Sequence, residues 1–220
     1  MTTPHLSAPI LVHPTDLKSN PELTEQITCL TNEAFGRSKQ AEPDKWDPGR
    51  PRFPTHESYY EMLVDGTTVA LIFDQEATDE GAKAIPGGES KDVMGGKVVA
   101  CAAAVPWKGG WAKEGAGKEE GWEIKAIAVN GDEKYLRKGL AVQVMKALED
   151  DLIVKARKRS PQSSSLTLWT LAADCINGAY WRKRGYREVR RKTEGAGTWA
   201  CKTSFDMVVL RKDVEFDTST

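Results

Sequence analysis

Histidine is scarce in this chain of 220 residues: there are three, His5, His13 and His56, all in roughly the first quarter. A catalytic triad or metal cluster built on imidazole has little to draw on, so no metal is expected. Cysteine is as sparse. Cys29, Cys101, Cys175 and Cys201 stand far apart, without the close pairs of a zinc site or the density of a disulfide scaffold, and read as buried thiols. No apolar run reaches the roughly 18 residues of a membrane span, and the N-terminal stretch lacks the basic start and unbroken apolar core of a signal peptide. The chain therefore reads as soluble and cytoplasmic, with no membrane partner. An excess of either charge is also missing, since 31 basic side chains meet 32 acidic ones and leave −1. With no overall field to draw in nucleic acid or anionic lipid, any basic site must be local.

What is present is a hydrophobic content of 40%, enough to bury a real core over this length. One domain is expected across residues 1–220. "APILVHP" reads as a first strand. "NPELTEQITCLTNEAF" reads as a helix capped by Asn20 with Pro21 at its first position, and Leu23, Ile27, Leu30 and Ala34 recur at helical spacing. Residues 36–54 hold four prolines and no periodicity, the mark of a long loop. "THESYYEMLVDG" follows as a helix with Thr55 as cap and Gly66 closing it.

"TVALIFD" and "KVVACAAAVPW" are continuous apolar runs of strand length, expected to be covered on both faces. The segment between them, residues 75–96, is glycine-rich and charged and reads as a loop insert. "WEIKAIAVN" alternates as a strand, placing Ile124, Ala126 and Ala128 on one side and Glu123, Lys125, Ile127 and Val129 on the other. A helix follows from Gly139 to about Lys158, then a strand in "SSSLTLWTLA", a short helix in "NGAYWRKRG" ended by Gly185, and two closing strands. Three consecutive strands in the middle argue against a simple alternating βαβ fold.

Chemistry concentrates where the strand "WEIKAIAVN" gives way to "KYLRKGLAVQVMKAL". At a helix start the first N–H groups lack partners and the dipole adds partial positive charge, so an anion is stabilised there. Gly139 leaves the backbone open, Ala141 adds little bulk, and Arg137 and Lys138 supply charge. A phosphate site and a plain turn are both compatible with this segment alone. Neither a Gly-Lys-Ser/Thr loop nor a G-x-G-x-x-G motif is present, which excludes the nucleotide classes those serve.

Taken together, three pieces in order resemble the GNAT superfamily of acetyl-CoA-dependent N-acetyltransferases. "WEIKAIAVN" looks like its fourth strand, "YLRKGLA" like its pyrophosphate loop [Q/R]-x-x-G-x-[G/A], and "NGAYWRKRGY" like its late helix N-x-x-A-x-x-F-Y-x-x-x-G-F. The resemblance runs over roughly residues 6–213, with specific motifs in residues 122–186. The rest of the late-helix segment and "GTWACKTSF" look most like poorly characterised fungal members. The resemblance implies an α/β fold with a mixed, mostly antiparallel central sheet of about six to seven strands and about four flanking helices. It also implies acetyl-CoA as co-substrate, without a metal.

Carried over by position, Gly139 and Ala141 fall on the small positions of the loop, and Arg137, Lys138 and Leu140 on the variable ones, with backbone amides holding the pyrophosphate. Leu136 stands where the family has Gln or Arg, and the loop before Gly139 is about two residues longer than usual. Ala128 and Val129 fall where the strand's backbone pairs with the pantetheine amides, and Asn177 where a side chain anchors the same arm. Glu123 matches an acidic position that often acts as general base. The need is physical, because an alkyl ammonium near pKa ~10 must lose a proton before its nitrogen can attack a thioester. A surface Glu beside Lys125 is the other reading.

Trp181 stands where a tyrosine usually protonates the leaving thiolate, and Tyr180 lies one position earlier. In a regular helix that is about 100° away, so Tyr180 substitutes only where the helix is shifted. Without it, expelling a thiolate of pKa near 8.5 at pH 7 costs only about 2 kcal/mol, and water can serve. Both aromatics also fit a core role. Arg182, Lys183, Arg184, Arg187, Arg190, Arg191 and Lys192 make a basic cluster read mainly as a solvated face, with no nucleic-acid partner. Arg184 is the member most suited to the 3′-phosphate or adenine end of CoA. Residues 36–54, with Trp46 and Phe53, suit a pocket for a small-molecule amine. A protein lysine or N-terminal amine is the alternative acceptor, and a non-catalytic acyl-CoA-binding regulator the alternative of another class.

Overall fold

A computed structural model describes residues 3–77 and 95–217. Most of the expected glycine-rich insert, residues 78–94, lies outside the described residues. The elements are β1 (Ile10–Val12), α1 (Pro14–Lys18), α2 (Pro21–Lys39), α3 (His56–Tyr60), β2 (Thr68–Asp74), β3 (Lys97–Pro106), β4 (Trp122–Val129), α4 (Leu140–Arg159), β5 (Ser165–Ala173), α5 (Ala179–Lys183), β6 (Arg187–Glu194) and β7 (Phe205–Glu215), with a π-helical turn, Asp174–Gly178, before α5. The strands form one seven-stranded sheet in the order β1-β2-β3-β4-β5-β7-β6. Every neighbouring pair is antiparallel except β4 and β5.

The uninterrupted apolar runs of β2 and β3 are buried along their length because helices cover both faces. Val69, Leu71 and Phe73 pack with Leu23, Ile27 and Leu30 of α2. Their neighbours Ala70 and Ile72 turn to the opposite face and meet Val144, Leu148 and Leu152 of α4. That division follows from the two-residue period of a strand and the 3.6-residue period of the helices.

α2 begins as its cap predicts, with Asn20 Oδ1 accepting from the Leu23 N–H at 3.0 Å. It continues to Lys39, three residues beyond the Gly36 at which the loop is expected to start. Gly36 costs the helix about 1 kcal/mol relative to Ala, but packing of α2 on β3 and β4 carries it through. The glycine has a use there: a Cβ at Gly36 would come 3.2 Å from the Pro48 carbonyl, so its absence lets the following loop fold back on the helix. The one-turn helix α1 has no counterpart in the expected order. α3 is capped by Thr55 as expected but ends at Tyr60.

A larger departure lies in β4. Ala103 pairs with Lys125 but Cys101 with Ala128, so one extra residue sits in β4, where Ala126 has φ 51°. Strict alternation fails at this bulge. Ile124 faces α4 with Ile127 and Val129, whereas Ala126 and Ala128 pack on the α2 side.

Candidate active site

β4 and β5 share only two register pairs, Trp122 with Leu168 and Glu123 with Trp169. Beyond Glu123 the strands part, and the wedge between them opens into a cavity of about 780 Å³. Ala128 and Val129 line one wall of it, and Asn177, Tyr180 and Trp181 another. Glu123, Leu136 and Ala141 also line it. Four expected residues, Arg137, Lys138, Gly139 and Leu140, lie in sequence between the lining residues Leu136 and Ala141. Leu140 turns its side chain into the core at 2% exposure, so only its backbone is available.

Gly139 is the N-cap of α4 with φ 73° and ψ 14°, a left-handed conformation that glycine adopts without strain. A Cβ there would meet nothing within 4 Å. Among the described residues, the N–H groups of Arg137, Lys138, Gly139, Leu140 and Ala141 donate to no carbonyl or side chain. Five successive free donors at a helix start form a local anion-binding surface. The loop before them is tied down from behind. Asn130 donates its N–H to the Val99 carbonyl at 2.8 Å, and the Tyr135 hydroxyl donates to Asp74 Oδ2 at 2.7 Å. Asp74 is 1% exposed. Burial works to raise its pKa, yet hydrogen bonds from Tyr135, the Glu76 N–H and Lys134 outweigh it and hold the carboxyl below its ordinary value.

Glu123 is 7% exposed, not a surface residue, and Lys125 lies 3.0 Å from its Oε2. Both line the cavity, on the regular part of β4 before the bulge. Behind Glu123, Trp169 stacks on Trp107 at 4.7 Å and 2°. The guanidinium of Arg37 donates to the Val129 carbonyl at 2.5 Å, which partly occupies an acceptor the family resemblance gives to pantetheine. Arg37 is thus a site residue that sequence reasoning missed, since nothing in a helical pattern marks which cation will reach across to a neighbouring strand.

The π-helical turn supplies the helix shift that the sequence makes a condition for Tyr180. Its wider turn changes the phase of α5, and Tyr180 and Trp181 both reach the cavity. Trp181 is 3% exposed and meets Tyr186 edge-on at 4.9 Å. The Tyr180 hydroxyl is buried and meets no partner at regular hydrogen-bond geometry among the described residues, Arg184 being the donor nearest to it. Burial lifts its pKa above the usual phenol value, against the opposing charge of Arg184, whose guanidinium lies 5.2 Å over the ring. Arg184 itself is not part of the cavity wall.

The far end of the cavity is built by two loops that fasten to each other. Trp46 bridges to Cys201, the Asp47 N–H donates to the Ala200 carbonyl at 3.0 Å, and the Lys202 N–H to the Lys45 carbonyl at 2.8 Å. Trp199 and Ala200 hold φ of 51° and 68°, strained values for residues with a Cβ, of the kind that concentrate at functional sites. Trp46 lines the cavity, but Phe53 packs edge-on against Tyr59 in the core.

Most of the basic cluster is neutralised. Arg182 and Arg191 share Asp174 and Glu188, Arg187 pairs with Asp213, and Arg190 with Glu119. Cys101 and Cys201 are buried but Cys29 and Cys175 are exposed, so the reading of four buried thiols holds for half of them. Burial pushes the Cys101 thiol up to about 11. Among the described residues no group of His, Cys, Asp and Glu is arranged to hold a metal, and no helix is long and apolar enough to cross a membrane.

No family model and no curated protein sequence matches the chain. Solved structures do. A candidate acetyltransferase from Acinetobacter baylyi superposes with TM-score 0.56 at 11% identity, over 100% of this chain and 98% of that one. The ribosomal-protein-S18-alanine N-acetyltransferase from Escherichia coli gives 0.52 at 13%, over 97% and 96%. The NatC complex bound to Gag peptide and CoA gives 0.50 at 12%, over 94% and 99%. At such identities the likeness establishes the fold: the chain has the mixed α/β GNAT fold.

Proposed function

We propose that the protein is a cytoplasmic N-acetyltransferase that moves acetyl from acetyl-CoA directly to a primary amine of a small molecule, acting as one domain over residues 1–220. The supporting observation is the parting of β4 and β5 after Glu123, which puts a buried carboxylate and a buried phenol on one cavity. The free amides around Gly139 hold the pyrophosphate, with Arg137 and Lys138 adding charge. Ala128 and Val129 offer backbone to the pantetheine arm, Asn177 a side-chain anchor and Trp181 an apolar wall. Leu136 contributes only its backbone and apolar bulk, and Arg184 the charge nearest the adenine end.

In this reading Glu123 takes the proton of the amine, directly or through a water, and the free nitrogen attacks the thioester carbonyl carbon. The C–N bond forms, the C–S bond breaks, and CoA leaves as thiolate. Tyr180 donates a hydrogen bond to the departing sulfur. Because its phenol is held above the usual value of about 10 while a thiol sits near 8.5, full proton transfer from Tyr180 is uphill. The thiolate's proton therefore comes from water. The nitrogen sheds two protons in all, one to Glu123 before attack and one as the tetrahedral intermediate collapses. One of them balances the proton taken up by the thiolate, and the other is released to solvent. The products are an acetamide and CoA.

Two structural neighbours are named for a protein alanine and a bound peptide, which motivates a protein or peptide amine as the second reading. The test is CoA release from acetyl-CoA by the purified chain against a broad amine panel, alongside a peptide array with labelled acetyl-CoA. Amine-dependent release supports the enzyme, and the array separates the acceptor classes. Release no faster with any amine than in water contradicts the proposal and favours an acyl-CoA-binding regulator.

A further inference from the structure

The acceptor end of the cavity is rich in hydrogen-bond donors and cations and has almost nothing to pair with them. Among the described residues Glu123 is the one acid that lines the cavity, and Lys125 already holds it at 3.0 Å. Against it stand Lys39, Arg50 and Arg52 from the end of α2 and the loop that follows, with Lys108 and Lys113 from the β3–β4 connection. Lys39 is 7% exposed, and its ammonium makes no hydrogen bond or ion pair among the described residues. Burial, Arg52 and Arg50 all press its pKa down, and Asp47 opposes them from outside the cavity wall.

Arg52 is held flat among aromatic rings, its guanidinium carbon 5.5 Å from the Phe53 centroid and 5.9 Å from those of Phe35 and Trp199. It too lacks a hydrogen-bonded acceptor among the described residues; burial depresses its pKa and the charge of Glu123 opposes this. The indole Nε1 atoms of Trp46 and Trp199 are buried without a partner among the described residues, just behind a wall of the same cavity that both residues help to line.

Buried donors are nearly always satisfied, and a planar guanidinium beside an ammonium is suited to a carboxylate or phosphate oxygen. We infer that the acceptor is a small molecule carrying an anionic group, carboxylate or phosphate, a few bonds from its amine, and that Lys39 and Arg52 hold that group, with the indoles of Trp46 and Trp199 packed behind it. This rests on the acetyltransferase reading above and adds the substrate class. The field has a second consequence: cations around an amine disfavour its ammonium form, so the same residues favour the free base that attacks the thioester. A polyamine or a lysine-rich peptide would bring positive charge to a wall that has no free acid among the described residues. Volume agrees, since a cavity of about 780 Å³ is the size for one drug-sized ligand, and the acyl-pantetheine arm takes part of it.

The test measures kcat/KM for β-alanine, aspartate and phosphoethanolamine against the counterparts that lack the anion, β-alaninamide, asparagine amide and ethanolamine, and against spermidine and peptides with acidic or lysine-rich sequence, using the full chain and acetyl-CoA. At least one small anionic amine is expected to exceed its counterpart without the anion by tenfold or more. Arg52→Gln and Lys39→Met are expected to raise KM for the anionic amine and to flatten that preference. Equal or faster turnover of spermidine or of a lysine-rich peptide overturns the inference, as does an unchanged preference in both variants. Preference for an acidic peptide over every small anionic amine overturns its small-molecule part.

Succinate, monitored through tryptophan fluorescence, reports the anion site without acetyl-CoA. Saturable binding that survives Gly139→Asp but is lost in Arg52→Gln supports the site even if no amine is acetylated. Absence of succinate binding in a chain that does acetylate amines contradicts the anion site and leaves the acetyltransferase reading standing.

Discussion

The ammonium of Lys125 lies 3.0 Å from Oε2 of Glu123, immediately before the residue at which β4 bulges away from its regular register. Lys125 engages one carboxylate oxygen and leaves Oε1 of Glu123 without a hydrogen-bond partner among the described residues, so that oxygen is available to accept a proton. Glu123→Gln preserves shape and removes the base. It should lower kcat by about 10²-fold or more while acetyl-CoA affinity by calorimetry changes little. A variant with unchanged kcat would remove Glu123 from the chemistry.

Tyr180 offers a separable prediction, since its hydroxyl makes no hydrogen bond of regular geometry among the described residues. Tyr180→Phe should leave thermal stability within about 0.5 kcal/mol of the parent and cut kcat about tenfold through the lost hydrogen bond to sulfur. Burial raises this phenol, so it stays protonated past pH 10 and no activity loss below that pH should trace to it. Unchanged kcat in Tyr180→Phe would leave water as the sole partner of the thiolate.

Asp74 and Tyr135 anchor the loop that leads to Gly139. Tyr135→Phe leaves the buried carboxylate short of a donor and should cost about 1–3 kcal/mol in denaturant unfolding. The folded-state pKa of Asp74 is depressed, so its contribution is present above the ordinary carboxylate value near 3.9 and is lost as pH falls through the folded value. Stability should therefore decline below about pH 4, less steeply in the variant. Equal acid sensitivity of the two chains would show that other carboxylates govern it.

The elements legible in the sequence are those whose pattern is local. The apolar runs of β2 and β3, the Asn20 and Thr55 caps and the glycine before α4 stand where they were expected, because each depends on neighbours in the chain. The β4 bulge is not legible: it puts Ala126 with Ala128 on one face and Ile124 on the other, and an alanine at φ 51° carries no sequence mark. Nor is the π-helical turn, which only its consequence at Tyr180 reveals. Lys39, Arg52 and Trp199 come together through two loops separated by more than a hundred residues, a juxtaposition that no spacing rule encodes.

Gly139 carries the central claim. Acetyl-CoA titrated into the purified chain in a calorimeter should bind saturably at or below hundreds of micromolar. A Cβ at Gly139 meets open space, and Asp tolerates the left-handed conformation, so Gly139→Asp should fold normally. Its carboxylate would face the phosphates, and binding should disappear, whereas the neutral Gly139→Asn should retain most of it. Absence of heat with the parent chain at these concentrations, or equal affinity in the parent and Gly139→Asp, would contradict the account.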